Sequence, residues 1–452
     1  MNGVVGTRAV ALATAFAVAV FGGGLATAPT RAGDLILPGA TTYYVGTGSA
    51  GVGGSCEQPD FGANGGNATP AFAAAFAAAV SGDVIYVCEG TFYFLTDPST
   101  SLAGRTLTIV GAGADKTRLD GNHAQRMLCF FDGGAINLRD LSLVNGGGDD
   151  GWGAGAVYGY AVDFNIRRVV FDSNAALDPG KVGLGGALLL DHGSATIDHT
   201  IFRHNAITYE GGAIWAVNAS LDISFSDFID NTAGYHDGAI GIYAASLLKV
   251  RHSTFVDNEA YDQYGGAIHA QNITSVDIQA SSFSGNRAHQ NGGAVDLCAA
   301  YRSVIANSLF VDNHADLAGG AVGVFCGSDL STNIYSNRFL RNSAGTWGGG
   351  VNTGHANNVT MHGNLFDRNT APRGGGATLW TIDGWSRAEM AAVGGNIYTT
   401  NTATISGGGI YLECATSTAR KLLLSGNSFA GNLALGAGAS RTKEVEIGRA
   451  HV

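Results

Sequence analysis

Residues 255–268 read FVDNEAYDQYGGAI and residues 283–295 read FSGNRAHQNGGAV, two copies of a phrase that recurs along the chain. Each copy starts with an aromatic residue, has asparagine three positions later, and ends with a glycine pair followed by alanine and an aliphatic residue. The spacing of 26 to 32 residues between successive aromatics indicates a stack of similar structural units. The aromatic and asparagine positions are Phe171/Asn174, Phe202/Asn205, Phe228/Asn231, Phe255/Asn258, Phe283/Asn286, Phe310/Asn313, Phe339/Asn342, Phe366/Asn369, Tyr398/Asn401 and Phe429/Asn432.

The segments between these phrases alternate apolar and polar residues with a period of two, as in Leu221–Phe225. That alternation predicts strands of roughly four to six residues, closed at each corner by glycine or asparagine. Glycine adopts positive φ freely, and asparagine tolerates the left-handed region better than most residues. Asparagines that recur at one corner also predict an amide ladder from coil to coil. The chain is therefore expected to be an all-β parallel solenoid.

Composition excludes several other classes of protein. Glycine accounts for 69 of 452 residues, but there are only 7 prolines and no period of three, so collagen is excluded. Hydrophobic residues make up 45% of the chain, which argues against a disordered polar chain. The formal net charge is −11, with 25 Lys and Arg against 36 Asp and Glu. A nucleic-acid partner, which needs a basic surface, is therefore not expected.

The N-terminal residues predict export. Residues 1–32 have Arg8 ahead of an unbroken run of small apolar residues, Ala9 to Val20, which is typical of a signal peptide. Cleavage is predicted after Ala32. The run is too short for a transmembrane span of ~20 residues.

Residues 33–82 are predicted to form an N-terminal cap. Phe72, Phe76 and Val80 are spaced by four residues, which predicts a helix over Pro70–Val80 with one apolar face. Such a helix would cover the open end of the hydrophobic stack, which would otherwise expose a sheet edge and the core.

Residues 83–440 are predicted to form the solenoid itself, and residues 441–452 a truncated end. The last seven residues, Glu446 to Val452, read EIGRAHV, which is also the translation of a common short-read sequencing adapter. We therefore expect the reading frame to leave the native gene near residue 440.

The alternation of Phe-x-x-Asn with Gly-Gly-Ala-Ile/Val/Leu, over about residues 150–440, resembles the polymorphic outer membrane protein repeat of chlamydial type. The resemblance implies a right-handed parallel β-helix that is secreted or displayed on the outer membrane as an adhesin-like autotransporter passenger. It also implies an outer-membrane anchor or barrel that is missing from this chain. The N-terminal region resembles the cap of secreted β-helix proteins that include polysaccharide lyases, so the fold alone leaves the function open.

Six cysteines in an exported chain predict disulfides. Cys56 and Cys88 flank the cap helix and would join it to the first coil. Cys298 and Cys326 occupy near-equivalent positions on successive coils, where the strand spacing of ~4.8 Å suits a disulfide. The other two cysteines have no evident partner. No CxxC pair is present, so the cysteines are not expected to bind a metal.

Residues at equivalent repeat positions of successive coils form a column along the solenoid. One column that is predicted to face outward contains candidate catalytic residues. Lys249 and Arg251 lie six and four residues before a core aromatic, with Asp222 and Asp277 beside them on the neighbouring coils. A polysaccharide lyase needs cations to neutralise a uronate and a base to take its α-proton. The competing interpretation is a ladder of cross-strand ion pairs. Ca²⁺ enters only under the lyase alternative, and no other cofactor is expected.

A second column, two positions after the alanine of the glycine phrase, is predicted to face outward and vary in chemistry. Trp215 and Tyr411 are candidates for stacking on sugar rings, and His269 and Asp296 are candidates for a hydrogen-bonded pair on the water-facing sheet. A histidine metal site is not predicted, because the pair His236-Asp237 and the histidines His314, His355 and His362 fall at different repeat positions.

These features favour an exported or surface-displayed β-helix that binds a cell surface or polysaccharide without catalysis. The alternative is a secreted lyase or hydrolase that acts on an acidic polysaccharide and uses either Lys249 and Arg251 or the His269/Asp296 pair. A purely structural coat or spacer protein is a third interpretation.

Overall fold

The computed structural model is an all-β parallel solenoid, as the repeat predicts. It describes residues 39–436 with gaps at 52, 64–65, 149–152, 178–182, 327–330, 355–357, 382–389 and 415–420, and also residues 445–447. The predicted signal peptide lies outside the described residues. Three sheets of 23, 13 and 10 strands run along the described chain, and nearly every strand pairs with its equivalent one coil further on.

The first sheet contains the strands that follow the glycine pairs. Its strands are Thr42–Gly46, Phe61–Gly62, Val84–Val87, Ser99–Ser101, Thr106–Gly111, Leu128–Phe131, Ala135–Arg139, Val157–Arg167, Leu188–Asp198, Ile214–Ser224, Ile240–Tyr243, Leu247–Arg251, Ile268–Gln279, Val295–Ala306, Val322–Phe325, Ser331–Tyr335, Val351–Gly354, Asn358–His362, Ala377–Thr381, Met390–Gly394, Ile410–Cys414, Lys421–Ser425 and Val445–Ile447.

The second sheet carries the core aromatics, and the third follows the ladder asparagines. The second consists of Gly90–Tyr93, Thr117–Asp120, Ser142–Val144, Val170–Asp172, Ile201–Arg203, Asp227–Ile229, Thr254–Val256, Ser282–Ser284, Leu309–Val311, Arg338–Leu340, Leu365–Asp367, Ile397–Thr399 and Ser428–Ala430. The third consists of Ala175–Ala176, Ala206–Ile207, Thr232–Ala233, Glu259–Ala260, Arg287–Ala288, His314–Ala315, Ser343–Ala344, Thr370–Arg373, Thr402–Ser406 and Leu433–Ala434.

Strand lengths differ from the predicted four to six residues. Several strands of the first sheet are longer, up to the 12 residues of Ile268–Gln279, because the two alternating segments of a coil join into one strand. The other two sheets have strands as short as 3 and 2 residues, because corners interrupt the chain on both sides.

The repeated aromatics form one stack in the core. Successive ring centroids from Phe171 to Phe429 are 4.6–4.9 Å apart, and the ring planes differ by at most 14°. The register that produces this stack pairs each aromatic with the aromatic of the next coil.

The predicted amide ladder is confirmed. From Asn174 to Asn432, each Nδ2 donates to the Oδ1 of the asparagine one coil further on, at 2.8–3.0 Å. The sequence suggested that these asparagines adopt the left-handed conformation at the corner, but they do not. The residue before each of them has positive φ instead, as at Asp257 (φ 53°).

The helix Thr69–Ala78 covers one end of the core, close to the predicted range. Both phenylalanines of the helix are buried, and the ring of Phe72 lies 5.1 Å from that of Phe94. Val80 is 63% exposed, so its predicted place on the apolar face is wrong. The chain leaves the helix at Ala79, whose backbone is extended.

Both predicted disulfides are present. Cys56 is bonded to Cys88 with a Cα–Cα distance of 5.7 Å, and Cys298 to Cys326 with 4.8 Å. Cys129 is a buried free thiol. Among the described residues, no helix is long and apolar enough to cross a bilayer.

Candidate functional site

The second column is largely covered, so the prediction that it faces solvent is wrong. His269 and Asp296 are each only 2% exposed, whereas Trp215 and Tyr411 are half-buried. The cause is the turn at the glycine pair, here called the glycine turn, which precedes each of these strands. It folds the chain back over the residue four positions after the first glycine. A Cβ placed on Gly265 would lie 2.7 Å from the Cβ of His269.

The parallel register brings three of the four predicted residues together. Trp215, Gly241, His269 and Asp296 occupy one position on four successive strands of the first sheet. Residues at one position are separated by the strand spacing of ~4.8 Å, so these side chains share one environment.

The two aromatic members have different settings. The indole Nε1 of Trp215 donates to Oε2 of Glu210 at 3.0 Å, and the Trp215 ring lies 5.8 Å from that of Tyr243. Tyr411 pairs with Thr378 far along the solenoid, away from the other three residues. Stacking of a single sugar chain on both rings therefore has no geometric support.

The predicted hydrogen bond between His269 and Asp296 is present. Nδ1 of His269 lies 2.9 Å from Oδ2 of Asp296. Because both side chains are buried, this is not a pair on a water-facing sheet. The remaining nitrogen, Nε2 of His269, is buried and has no hydrogen-bond partner among the described residues. An unsatisfied buried polar group costs ~1–3 kcal/mol.

His236 and Asp237 lie beside His269, although the sequence placed the two histidines at unrelated repeat positions. Each of the three residues offers one possible ligand atom, and these atoms all lie within 4.8 Å of one another. The histidine rings are 5.5 Å apart between centroids. They meet because the turn of one coil lies against the strand column of the next, which a comparison of equivalent positions does not detect.

Asp237 is a site residue that the repeat positions did not predict, although it follows His236 directly in the sequence. Residues 237–240 read DGAI where other coils read GGAI, so aspartate replaces the first glycine of a pair. Its φ is 65° and its side chain is fully buried. A Cβ at Gly241 would overlap Oδ2 of Asp237, so the glycine leaves the space that the carboxylate fills. A left-handed conformation costs a residue with a side chain roughly 1–2 kcal/mol, and such strain concentrates at functional sites.

Neighbouring side chains orient the cluster. The hydroxyl of Tyr243 donates to Oδ2 of Asp237 at 2.9 Å. Nε2 of His236 donates to Oε1 of Gln263 at 2.9 Å, and the Gln263 amide nitrogen donates to the hydroxyl of Tyr235.

Burial dominates the electrostatics of the cluster. It lowers the pKa of His236 to about 4, raises the pKa of Asp237 well above its usual range, and also raises the pKa of Glu210. Burial opposes a charge on His269 as well. The hydrogen bond to Asp296 and the nearby Asp237 carboxylate outweigh that effect, and the pKa of His269 is raised.

The first column forms ion pairs between neighbouring coils, as its structural interpretation predicts. Lys249 pairs with Asp222 at 3.1 Å, and Arg251 pairs with Asp277 at 2.6 Å. Asp222, Lys249 and Asp277 share one register position on three strands. Because each cation already faces a carboxylate, the arrangement matches the structural interpretation at least as well as a lyase site.

A further feature of the surface is a groove of about 460 Å³ that crosses four coils at the corner between the first and second sheets. We call it the corner groove, and its relevant residues are His252, Ala280, Asn307, Ser336 and Arg338. All five are exposed.

One end of the corner groove is an aromatic stack. The Phe225 ring lies between His199 and His252, with centroid distances of 5.0 and 4.9 Å. Phe225 is 51% exposed and has a φ of 48°, an unusual conformation for a bulky residue. In the next coil the residue at the position of His252 is Ala280. The outer face of the His252 imidazole is therefore open toward the groove.

No family model matches the chain. It is 29% identical over 259 residues to "Metabotropic glutamate receptor-like protein P" of Dictyostelium discoideum, and 28% identical over 277 residues to "Probable outer membrane protein pmp20" of Chlamydia pneumoniae. Each match covers 52% of this chain but only 18% and 15% of those two proteins, respectively.

Solved structures with similar folds include two carbohydrate-active enzymes. The PL6 family polysaccharide lyase of Pseudopedobacter saltans has a TM-score of 0.45 and 9% identity, covering 85% of this chain and 95% of the lyase. The catalytic unit of the GH87 alpha-1,3-glucanase of Streptomyces thermodiastaticus strain HF3-3 has a TM-score of 0.37 and 14% identity, covering 92% and 72%, respectively. These likenesses concern the fold alone.

Proposed function

We propose that this chain is an exported or surface-displayed, adhesin-like β-helix protein that binds an acidic glycan without catalysis. The observation that carries the proposal is the corner groove, which has an open aromatic face at one end and an exposed guanidinium at the other.

The residues of the groove match the chemistry of a sugar chain. The apolar C–H face of a pyranose ring can stack on the open imidazole of His252. Asn307 and Ser336 offer polar groups for sugar hydroxyls. Arg338 provides a planar fork of N–H donors, which suits the carboxylate of a uronate.

Arg338 differs from other arginines of the second sheet and its corners. Arg168, Arg203 and Arg341 are paired with Asp140, Asp172 and Asp312, respectively, whereas Arg338 forms no ion pair among the described residues. An exposed, unpaired guanidinium is available to an incoming anion without first losing a partner.

Binding without catalysis is favoured because no carboxylate lines the groove within the described part of the chain. The lyase alternative rests on Lys249 and Arg251, but these cations are engaged by Asp222 and Asp277, respectively. Under that alternative, Lys249 or Arg251 would have to leave its carboxylate to reach the substrate.

Export is supported by the two disulfides, since such bonds persist in oxidising compartments. The similarity to the protein named "Probable outer membrane protein pmp20" supports display at a cell surface.

The groove is tested by calorimetric titration with uronate oligosaccharides and with neutral glucose oligosaccharides. We expect the wild-type protein to bind the uronates more tightly. His252→Asn and Arg338→Ala should each weaken uronate binding roughly tenfold, which corresponds to about 1.4 kcal/mol. Asparagine suits the left-handed backbone there, because Asn307 holds the same column position with a φ of 52°.

Arg203→Ala is the matched control, because it removes an exposed arginine of the same sheet that is already paired. It should leave uronate binding unchanged. Unaltered affinity in both groove variants would contradict the site. Formation of unsaturated uronate product, abolished by Lys249→Ala and Arg251→Ala, would instead establish the lyase alternative.

A further inference from the structure

We propose that His236, Asp237 and His269 bind one divalent transition-metal ion of the zinc class. Two imidazole nitrogens and one carboxylate oxygen are a ligand set that such ions take. The three ligand atoms already lie within 4.8 Å of one another, so small shifts would bring them around one ion.

His269 is prepared for this role by its hydrogen bonding. Its Nδ1 is held by Asp296 at 2.9 Å, so the proton of a neutral ring resides there. Its lone pair is then on Nε2, the buried atom that has no partner among the described residues. A carboxylate on the far nitrogen of a ligating histidine is the usual outer-shell arrangement at metal sites.

His236 has the same arrangement with a different partner. The amide nitrogen of Gln263 donates to Tyr235, which turns Oε1 of Gln263 toward Nε2 of His236. That oxygen can only accept, so Nε2 of His236 carries the proton and Nδ1 carries the lone pair.

Asp237 is placed at some cost in backbone conformation. It occupies a left-handed position that other coils give to glycine, and Gly241 leaves room for its carboxylate. The hydroxyl of Tyr243 orients that carboxylate at 2.9 Å. Each of the three ligands therefore has an outer-shell partner, which a chance contact of polar residues would not require. The Tyr243 hydroxyl also lies 3.5 Å from Nδ1 of His236, so it faces two of the ligands.

Charge also favours a cation here. Asp237 and Asp296 are almost fully buried, and burying a carboxylate is unfavourable unless a cation or hydrogen bonds compensate it. A bound ion would also join the turn at residue 236 to the strand of the following coil. His236 and the neighbouring Glu210, whose Oε1 lies 3.7 Å from Nδ1 of His236, are more exposed, at 12% and 13% of their side chains. This side gives an ion a way in.

The experiment uses the full chain, stripped of metal with a chelator and then titrated with Co²⁺ while visible absorbance is recorded. Native mass spectrometry measures Zn²⁺ stoichiometry. We expect one ion per chain, with Co²⁺ displaced by Zn²⁺ but not by Ca²⁺, which prefers all-oxygen sites.

Asp237→Gly is the decisive variant. Glycine is the residue at this position in other coils, so the fold should be retained, and circular dichroism checks this. We expect a loss of affinity greater than the roughly 10–100-fold that removal of an outer-shell partner causes. His236→Gln changes a partly exposed ligand and should weaken metal binding in the same way. It provides an independent test of the site if Asp237→Gly proves to fold poorly.

His192→Asn is the matched control, because it removes an exposed histidine that lies 2.7 Å from Asp191 at a left-handed position. It should bind Co²⁺ like the wild type. Failure of the folded wild-type protein to bind one ion would overturn the proposal. Equal affinity in wild type and in both ligand variants would also overturn it, because the ion would then be held elsewhere.

Discussion

Asn258→Ala is expected to lower the free energy of unfolding by at least about 3 kcal/mol, because it interrupts the amide ladder in mid-solenoid. Oδ1 of Asn258 accepts from the backbone N–H and the Nδ2 of Asn231, at 3.0 and 2.9 Å. Its Nδ2 donates to the carbonyl of Phe228 at 3.0 Å. Alanine would remove these three hydrogen bonds from buried groups, at ~1–3 kcal/mol for each group left without a partner. Nδ2 of Asn231 would keep only its bond to the carbonyl of Phe202.

Chemical denaturation followed by circular dichroism measures this loss. The matched control is Asn165→Ala, because the Asn165 amide makes one exposed hydrogen bond of 3.4 Å to Asn137. The free energy of unfolding of that variant should fall by well under 1 kcal/mol, as is usual for surface substitutions. Equal losses in the two variants would mean that the ladder contributes no more than a surface contact.

The fold could be predicted because its determinants are local and recur at a fixed spacing. An aromatic residue in the core and asparagine at the next corner are visible in every copy, and a glycine pair precedes the following strand in most of them. In a parallel solenoid, residues at equivalent positions are also neighbours in space. The aromatic stack and the amide ladder therefore followed from the repeat alone.

The burial of His269 and Asp296 could not be read in the same way. Period-two alternation assigns a side chain to one face of the sheet, but it does not show what lies over that face. Here the glycine turn folds back on the strand, and the covering residues come from the neighbouring coil. His236 therefore meets His269 although the two have different places in the repeat.

One signal of the cluster was present in the sequence. Asp237 breaks a phrase that elsewhere begins with glycine, and Gly241 is an unusually small residue in the column beside it. A departure from a repeat at a position that needs positive φ is informative, because it replaces the favoured residue with a strained one.

The corner groove also has a signal in the sequence, at the repeat position three residues before the core aromatic. His199, Phe225, His252, Ala280 and Asn307 all lie three residues before a core aromatic. Read together, they show a change from aromatic to small residues, which is where the groove opens. The positive φ that all five share is a structural property that their identities alone do not reveal.

Gly266→Ala is expected to lower the free energy of unfolding by about 4 kcal/mol or more, which is at the upper end for single substitutions. A Cβ there would overlap the carbonyl oxygen of Gly293 in the next coil and lie 2.6 Å from the backbone nitrogen of Arg287. Both neighbours are backbone, so no side chain can move aside. Separating the coils would weaken the hydrogen bond from Gly266 N–H to Gly292, which is 3.1 Å long, and disturb the pairing of the first sheet.

Gly363→Ala separates the effect of space from that of backbone conformation. Gly363 has a φ of 64°, but the nearest atom to a Cβ there is Oγ of Ser336 at 3.7 Å, an ordinary contact. Alanine at this position should therefore cost only the left-handed strain of roughly 1–2 kcal/mol. Thermal and chemical unfolding of both variants test the difference. Equal destabilisation by Gly266→Ala and Gly363→Ala would contradict this prediction. It would mean that the coils separate easily enough to admit a methyl group, despite the close approach of their backbones.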